Sequence, residues 1–258
     1  MIIRSNMELK EHYGKLCAGD TFLGIVSSKH LKPYMLIDLL ERGVRCFPSP
    51  LSQCLNSSKI AQSLILKDWM IAYTYVIKRK MDLIECINQY NKNGTGPVVT
   101  KEDHMHCGFG VRRWETIETV FSALAMSDSS YPFVVQPFLK NFTDVRVIIA
   151  GDYIEAYTRY NPNNFRMNIA AGGKSDPYTL DSDKEKFCRS VMKRGKFPFA
   201  HIDLMITESG EFYLSEIALN GGIKGAIINR QEFDQIKQDL LEGLASDSFR
   251  NPKSAIDN

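Results

Sequence analysis

Apolar residues at the start of the chain follow first a strand pattern and then a helical pattern. The run over residues 21–28, TFLGIVSS, is mostly apolar and predicts a buried strand. Residues 33–42 carry apolar side chains at helical spacing, and Gly43 ends that pattern. Residues 44–47 predict a second short strand, which the prolines that follow would close. Together these segments predict a small β-α-β unit of about fifty residues with a parallel sheet.

The rest of the chain contains two further helical patterns and several short apolar runs. Helical spacing extends over residues 59–70, after the candidate caps Asn56-Ser57-Ser58, and again over residues 81–91. Short strands are predicted where the sequence reads PVVTK, FVVQPFL, VRVIIAG and YIEAYTRY, and Gly151-Asp152 predicts a hairpin turn between the last two. A further helix is expected to end near Lys196. This order of helices and strands indicates an α+β arrangement.

The segment over residues 201–222, HIDLMITESGEFYLSEIALNGG, predicts a β-hairpin that carries two acidic residues. If Ser209-Gly210 is a two-residue loop, Asp203 lies directly opposite Glu216. If the loop instead has three residues and a bulge at its glycine, Asp203 faces Ser215 and Glu216 moves out of direct pairing. The sequence leaves both registers open.

Two opposed carboxylates stay together only for a physical reason. Directly opposite side chains have Cβ atoms about 4.5–5.5 Å apart, so like charges repel unless a cation lies between them or one carboxyl is protonated. Mg²⁺ suits such a site because it takes one or two carboxylates with waters and substrate phosphates. Asn220 follows the hairpin and adds an amide oxygen. The alternative is that Asp203 and Glu216 are solvated charges at strand ends.

Composition excludes several classes of function. The 258 residues are 44% hydrophobic and 24% charged with a net charge of +2, which is ordinary for a globular protein and gives no support for nucleic-acid binding. No apolar run approaches the ~20 residues of a membrane span, and the N-terminus lacks a signal-peptide core, so we expect a cytoplasmic protein with no membrane partner. The six cysteines include no Cys-x-x-Cys pair, which favours reduced thiols. His104, His106 and Cys107 suggest a transition-metal site only weakly, because no second cluster supplies the remaining ligands.

A lysine and a glycine-containing loop form a second chemical feature. Residues 98–111, VVTKEDHMHCGFGV, predict a strand that ends at Lys101 and a loop with Gly108 and Gly110. Backbone N–H groups of such a loop can close over phosphates while the lysine supplies a point charge. The alternative is a plain turn with an exposed lysine, because neither the dinucleotide fingerprint nor the Gly-Lys-Ser/Thr phosphate loop is present.

Cations and an amide between these two segments form a third feature. Its members are Arg146, Arg159, Arg166, Lys174 and Asn168, with the Gly172-Gly173 pair. Two of the arginines fall on opposite strands of the predicted central hairpin. The stretch NPNNFRMNIAAGG is a long polar loop of the kind that often serves as an active-site lid. A solvated charged face is the alternative.

Taken in their order along the chain, these features resemble the ATP-grasp family, most closely the branch with ribosomal-protein glutamate ligases and glutathione-synthetase-like enzymes. Lys101 and GFGV are similar to the family's nucleotide lysine and glycine loop, and VVQPFL occupies the place of the strand that reads adenine. FTDVRVIIAGDYIEAYTR resembles the family's next pair of strands, and FRMN before Gly172-Gly173 is the most specific local match. Asp203, Gly210 and Glu216 match the magnesium-binding segment. The resemblance covers residues 57–228.

The resemblance implies an α+β ATP-grasp fold, in which two α+β subdomains grip a nucleotide, preceded by the short β-α-β region. It implies an N-terminal domain over residues 1–56 and an ATP-grasp domain over residues 57–258. The first subdomain would cover residues 57–133 and the second residues 134–258. ATP and Mg²⁺ are the implied cofactors, with Mn²⁺ as an alternative metal.

The resemblance also implies a role for each matching residue. Nucleotide binding falls to two lysines, the loop glycines and the adenine strand, namely Lys59, Lys101, Gly108, Gly110, Gln136, Pro137, Phe138 and Leu139. Arg166 and Asn168 would reach the reacting phosphate or carboxylate, and Arg146 is a further implied catalytic cation. The implied metal ligands are Asp203, Glu216 and Asn220.

Three features depart from the family pattern. The family usually has an asparagine two residues after the metal glutamate, where this chain has Ala218, so Asn220 is the candidate replacement. Pro137 stands where relatives often have an acidic residue, and it supplies no N–H for adenine recognition. The N-terminal region is shorter than the usual preceding domain, which leaves the substrate contacts undefined.

The implied activity is that of an ATP- and Mg²⁺-dependent carboxylate–amine ligase. A carboxylate attacks the γ-phosphoryl group to give an acyl phosphate and ADP, and an amine then displaces phosphate. The alternatives are an ATP-grasp-like small-molecule kinase and a nucleotide-binding protein without turnover, for which Ala218 is the motivation. Expected partners are a small-molecule acid and amine, or a peptide or protein end, which the sequence does not name. A homodimer is left open.

Overall fold

The computed structural model describes residues 1–27, 33–105, 108–124, 131–167, 169 and 172–250. Within these ranges the strands form three sheets, each with its own cluster of buried apolar side chains. The expected α+β arrangement is confirmed.

The first sheet lies at the N-terminus and is parallel. Its strands, in the order β1-β2-β3, are Ile2–Ile3, Thr21–Leu23 and Arg45–Phe47, and its helices are α1 (Asn6–His12) and α2 (Pro33–Glu41). This arrangement confirms the predicted β-α-β start. The predicted strand over residues 21–28 was too long, because the chain leaves the extended region at Gly24, where φ is +149°.

The second sheet is antiparallel and carries two helices on one face. Its order is β4-β7-β5-β6, with ranges Tyr75–Ile77, Phe133–Pro137, Val98–Glu102 and Val111–Trp114. The helices are α5 (Lys80–Lys92) and α6 (Ile117–Leu124), and they bury Leu83, Tyr90 and Val120 against the sheet. The amphipathic pattern over residues 81–91 therefore predicted this helix and its buried face.

The third sheet is antiparallel, and one of its faces forms the wall of the candidate site. Its order is β10-β9-β8-β11-β12, with ranges Lys174–Pro177, Tyr153–Tyr160, Phe142–Ala150, Phe199–Thr207 and Phe212–Ala218. Alternate residues such as Val145, Ile202 and Leu204 are buried in the core. That core also contains residues of α3 (Pro50–Ser57), α4 (Lys59–Ile65) and α7 (Ser182–Gly195). Because side chains alternate along a strand, Asp144, Arg146 and Asp203 point to the opposite face.

The two predicted hairpins differ in how well the sequence defined them. The Gly151-Asp152 turn is confirmed, because Ala150 pairs with Tyr153 across it. The turn of the β11–β12 hairpin has three residues, which is one of the two lengths that the sequence left open, because the amide of Thr207 donates to the carbonyl of Glu211 at 2.8 Å.

A bulge nevertheless restores the pairing of the two carboxylates. Leu204 pairs with Leu214 and Asp203 pairs with Glu216, so Ser215 is an extra residue in β12. The predicted opposition of Asp203 and Glu216 is confirmed, although by a different turn. The same extra residue explains why Leu214 and Ile217, three positions apart, are both buried.

The last helix connects the first and third sheets. α8 (Arg230–Arg250) packs against β2, β3 and β8. Its Phe233 is fully buried in the core of the third sheet. The predicted division after residue 56 falls within α3, and the division after residue 133 falls within β7, and both divisions stay predictions. In the described part of the chain, no helix is long and apolar enough to cross a membrane.

Candidate active site

A cavity of about 640 Å³ lies between the second and third sheets. Twelve of the fourteen residues to which the resemblance gave a role line it, namely Lys59, Lys101, Gly108, Gln136, Pro137, Phe138, Leu139, Arg146, Arg166, Asp203, Glu216 and Asn220. Gly110 does not line it. Asn168 lies outside the described residues, as do His106 and Cys107 of the weaker transition-metal alternative. Tertiary structure thus brings together residues that are up to 161 positions apart, from Lys59 to Asn220.

Two buried arginines hold the Asp203 carboxylate. Arg146 donates from Nε to Oδ1 at 2.7 Å and from Nη2 to Oδ2 at 2.9 Å, and Arg159 Nη2 lies 2.9 Å from Oδ2. Burial would raise the pKa of Asp203, but the charges of Arg146 and Arg159 outweigh it and hold the pKa well below its usual range. Asp203 is therefore ionised, as a metal ligand must be.

Asp144 and Arg159 extend this group along the sheet. Arg159 donates from Nε to Asp144 Oδ1 at 2.7 Å, with Nη2 at 2.6 Å from the same oxygen. Burial raises the pKa of Asp144, and the negative charge of the nearby Asp203 raises it further, whereas the positive charge of Arg159 lowers it. Asp144 was not among the residues predicted from the sequence to have a role. The alternation of Asp144 and Arg146 in β8 was the available indication, because it places both side chains on one face.

Lys101 and Lys59 approach Glu216 from the side of the second sheet. Lys101 Nζ donates to the carbonyl of Ser215, the bulged residue, at 3.3 Å. Lys59, at the start of α4, lies 3.7 Å from Glu216 Oε1 and also donates to the carbonyl of Met105. Burial lowers the pKa of Lys101 to about 8, although Glu216 raises it. The capping hydroxyl of Ser58 accepts from the backbone of α4 and so holds the first turn that carries Lys59.

The donor set fits a hard divalent cation completed by phosphates. Asp203 and Glu216 provide two carboxylates on adjacent strands, and three of the roughly four acceptor positions of Asp203 are filled by arginine. Among the described residues, no group of three or more His, Cys, Asp or Glu side chains is close enough to hold a metal. The amide oxygen of Asn220 accepts from Lys237 at 3.5 Å, and its role as a metal ligand stays a prediction. Substrate phosphates would have to supply the remaining ligands.

Arg166 binds the glycine loop. Its guanidinium donates to the carbonyls of Gly108, at 3.0 Å, and of Val111, and its contact with the reacting phosphate or carboxylate stays a prediction. Gly108 itself lines the cavity with φ at +76°. Gly110 serves packing, because a Cβ there would lie 2.6 Å from Cβ of Met105. These contacts join the loop of the second sheet to the polar loop that follows β9.

The predicted adenine strand reaches the cavity with few free donors. Pro137 has no N–H, and the amide of Phe138 donates to the carbonyl of Pro97 at 2.8 Å. Leu139 is therefore the next backbone donor along the strand. The Phe138 ring lies beneath Arg113 at 4.7 Å and edge-to-face with Phe165 at 6.3 Å. Phe138 and Phe165 both line the cavity and give it an apolar wall at this end.

His201 also lines the cavity, although the sequence did not predict a role for it. Its side chain is almost completely buried, 2% exposed, and it contacts Phe233 edge-to-face at 5.5 Å. Burial lowers the pKa of His201 to about 3, and the nearby Arg146 lowers it further. The available indication was its position two residues before Asp203, which places both side chains on the same face of β11.

Comparison with known proteins agrees with this geometry. The sequence profile of the RimK-like ATP-grasp domain matches residues 56–242, most of the chain. The chain belongs to the RimK-like ATP-grasp family. The resemblance drawn from the order of motifs is therefore confirmed, and so is the expected ATP-grasp fold.

Members and fold relatives of this ATP-grasp family are ligases and synthetases. The chain is 24% identical over 201 residues to the coenzyme gamma-F420-2:alpha-L-glutamate ligase of Methanococcus maripaludis, covering 74% of this chain and 69% of the relative. An ADP complex of N5-carboxyaminoimidazole synthetase from Staphylococcus aureus has a similar fold, with TM-score 0.64 and 13% identity, over 92% of this chain and 63% of that chain.

A second solved structure with a similar fold is also an ATP-grasp ligase. The ATP-grasp ligase PsnB, complexed with a variant of its minimal precursor, Mg and ADP, matches with TM-score 0.58 and 16% identity. The match covers 83% of this chain and 66% of that chain, so this chain spans just under two thirds of that structure. At such identities these structures establish the fold. The expected class of ATP-dependent ligase agrees with the family and with the proteins to which the chain is similar.

Proposed function

We propose that this protein is an ATP- and Mg²⁺-dependent carboxylate–amine ligase that works through an acyl phosphate and releases ADP and phosphate. The observation that carries the proposal is the meeting of Lys101, Arg146 and the Asp203–Glu216 pair in one cavity of an ATP-grasp domain. A relative that is a glutamate ligase, and an ATP-grasp ligase of similar fold that binds its precursor with Mg and ADP, support the reaction class.

Different residues of the cavity would contact different parts of the nucleotide. Gln136 to Leu139 would bracket the base, and Lys101 would contact the phosphates from the second sheet. Asp203 and Glu216 would hold Mg²⁺, and Mn²⁺ is an alternative for the same oxygen ligands. The bound metal would neutralise charge on the phosphates. Arg166 and the loop at Gly108 would cover them, since they are already joined by a hydrogen bond.

The chain's own residues then position the substrates and exclude water. The substrate carboxylate forms a bond to the γ-phosphorus while the bond from that phosphorus to the ADP oxygen breaks. The amine next forms a bond to the acyl carbon and loses a proton to water, while the bond from that carbon to the phosphate oxygen breaks and phosphate leaves. Lys101 would stabilise charge that develops on the transferred group, and Arg146 would act through the Asp203 carboxylate that it holds. Little covalent work falls to protein side chains.

A Glu216→Gln variant tests this assignment. The amide keeps the shape of the side chain but removes the charge that would hold the metal, so magnesium-dependent ADP release should fall at least about a hundredfold for a lost electrostatic contact of this kind. A coupled ADP assay over a panel of acids and amines measures this. Release that needs both an acid and an amine supports a ligase, and a phosphorylated product formed without amine would identify a kinase instead. Turnover equal to that of the unchanged protein would refute the metal assignment.

A further inference from the structure

The histidine at the far end of the carboxylate hairpin has no hydrogen-bond partner. Neither ring nitrogen of His201 contacts a donor or acceptor among the residues that the structure describes, although the side chain is only 2% exposed. Buried polar groups are nearly always hydrogen-bonded, and one left without a partner costs about 1–3 kcal/mol. Packing alone would be served equally well by an apolar side chain. The two unpaired nitrogens therefore indicate a partner, and the cavity that His201 lines is the side from which a partner can approach.

The position of His201 places that partner on the substrate side of the site. Along the β11–β12 hairpin, Ser215 faces Lys101, the next pair is Asp203–Glu216, and the pair beyond is His201–Ala218. Two residues of a strand span about 6.7 Å, so the ring lies that far beyond the carboxylates, away from the nucleotide lysine. Ala218, which pairs with His201, is small, and both residues line the cavity.

The surroundings of His201 favour an uncharged group. The cations nearest to its end of the cavity already have partners. Arg146 is bound to Asp203, Arg230 donates to the carbonyl of Gly221 at 2.7 Å, and Lys237 lies 2.7 Å from Asp234. A neutral imidazole offers one N–H donor and one bare nitrogen acceptor. Amide and hydroxyl groups both donate and accept, so they match this pair.

We propose that His201 is a specificity-determining residue that hydrogen-bonds an amide or hydroxyl group of the substrate. The inference rests on the proposed ligase function, because it takes the far end of the cavity as the substrate site. The loop over residues 220–222 packs closely against the imidazole ring of His201. A Cβ at Gly221 would lie 2.9 Å from Cγ of His201, so only glycine allows the ring and the loop to pack so closely.

Paired variants separate a role in binding from a role in packing. His201→Leu fills the same space without nitrogen atoms, and His201→Gln restores a donor and an acceptor. We expect the leucine variant to keep or raise its Tm, because two unpaired polar atoms are removed. In the ADP assay it should raise KM for an amide- or hydroxyl-bearing substrate about two- to tenfold, the range for one neutral hydrogen bond, with KM for ATP unchanged. The glutamine variant should recover part of that loss. A leucine variant that loses Tm and keeps its substrate KM would overturn the inference.

A direct measurement on the ring is independent of turnover. Protein labelled with ¹⁵N in its five histidines is observed by NMR in the presence of ADP and Mg²⁺, with His201→Gln assigning the resonances. Threonine and glutamine are the polar probes, and valine and glutamate are their matched controls. We expect the His201 nitrogens to shift with a polar probe and not with its control. No shift with any probe would mean that only a buried water fills these positions, and the inference would fail. Absence of ADP release with every substrate pair would instead refute the ligase proposal, and the NMR result would still decide the role of His201.

Discussion

Removal of charge from Asp203 should destabilise the protein far more than removal of charge from Glu216, although both changes should stop metal-dependent turnover. Asp203→Asn leaves Arg146 and Arg159 buried without their shared carboxylate, and these side chains are 19% and 5% exposed. Breaking a buried pair by removing one partner costs about 3–5 kcal/mol. Glu216 is 35% exposed and its nearest cation, Lys59, is 3.7 Å away, so Glu216→Gln should cost less than about 1 kcal/mol.

These free energies convert to a clear difference in melting temperature. For a chain of this size 1 kcal/mol corresponds to about 2–4 °C, so Asp203→Asn should lower Tm by roughly 6–20 °C and Glu216→Gln by less than about 4 °C. The pKa of Asp203 is depressed in the folded protein, so its contribution is present above its unfolded pKa of about 3.9 and is lost as the pH falls below it. The difference in Tm between the unchanged protein and Asp203→Asn should therefore narrow below about pH 4.

Differential scanning calorimetry of the two variants without nucleotide or metal is the assay. Circular dichroism at room temperature serves as the control that both variants still fold. Equal losses of Tm for Asp203→Asn and Glu216→Gln would refute the reasoning, because they would show that the two arginines do not depend on Asp203.

Three further predictions follow from single contacts. The lowered pKa of Lys101, about 8, means that its positive charge is lost above that pH, so ATP affinity measured by calorimetry should fall up to about tenfold per pH unit there. Lys101→Arg should remove this pH dependence, and an identical profile in both proteins would contradict the role of Lys101. The pKa of His201 is lowered to about 3 in the folded protein, so below pH 6.5 the unfolded chain binds the proton more readily. The free energy of unfolding is therefore highest above pH 6.5 and falls as the pH is lowered towards 3. Over this range the free energy of unfolding of His201→Gln, measured with denaturant, should fall less steeply than that of the unchanged protein, by about 1.4 kcal/mol per pH unit. Equal slopes in the two proteins would exclude a buried neutral ring. Gly221→Ala should cost about 1–3 kcal/mol by overpacking against the His201 ring, and His201→Ala should restore most of it. A cost that persists in the double variant would place the strain elsewhere.

Local patterns anticipated most of the elements and the order of the site residues. The helical spacing over residues 81–91 predicted α5, and the alternating strands before and after Gly151-Asp152 predicted the β8–β9 hairpin. Motif order indicated the ATP-grasp family, which the matched profile over residues 56–242 confirms. These predictions succeeded because periodicity and turn chemistry depend on residues close together in the chain.

Contacts between segments that are far apart in the chain could not be predicted from the sequence. The three-residue turn and the bulge at Ser215 shift the hairpin register in opposite directions, so Asp203 faces Glu216 although the turn does not have two residues. Nothing local showed that Arg166 would bind the carbonyls of the glycine loop, or that Lys237 would hold the amide of Asn220.

The sequence by itself therefore determined the elements, the family and the set of polar residues that could serve an ATP-dependent ligase. Tertiary structure alone decided which of those residues are already bound to one another and which remain available. Arg146 and Arg159 bind Asp203 because three neighbouring strands bring them together, whereas both nitrogens of His201 are left unpaired among the described residues. The physical reason is that charge pairing and burial depend on distances in space, and residues far apart in the chain set those distances only once the sheets have packed.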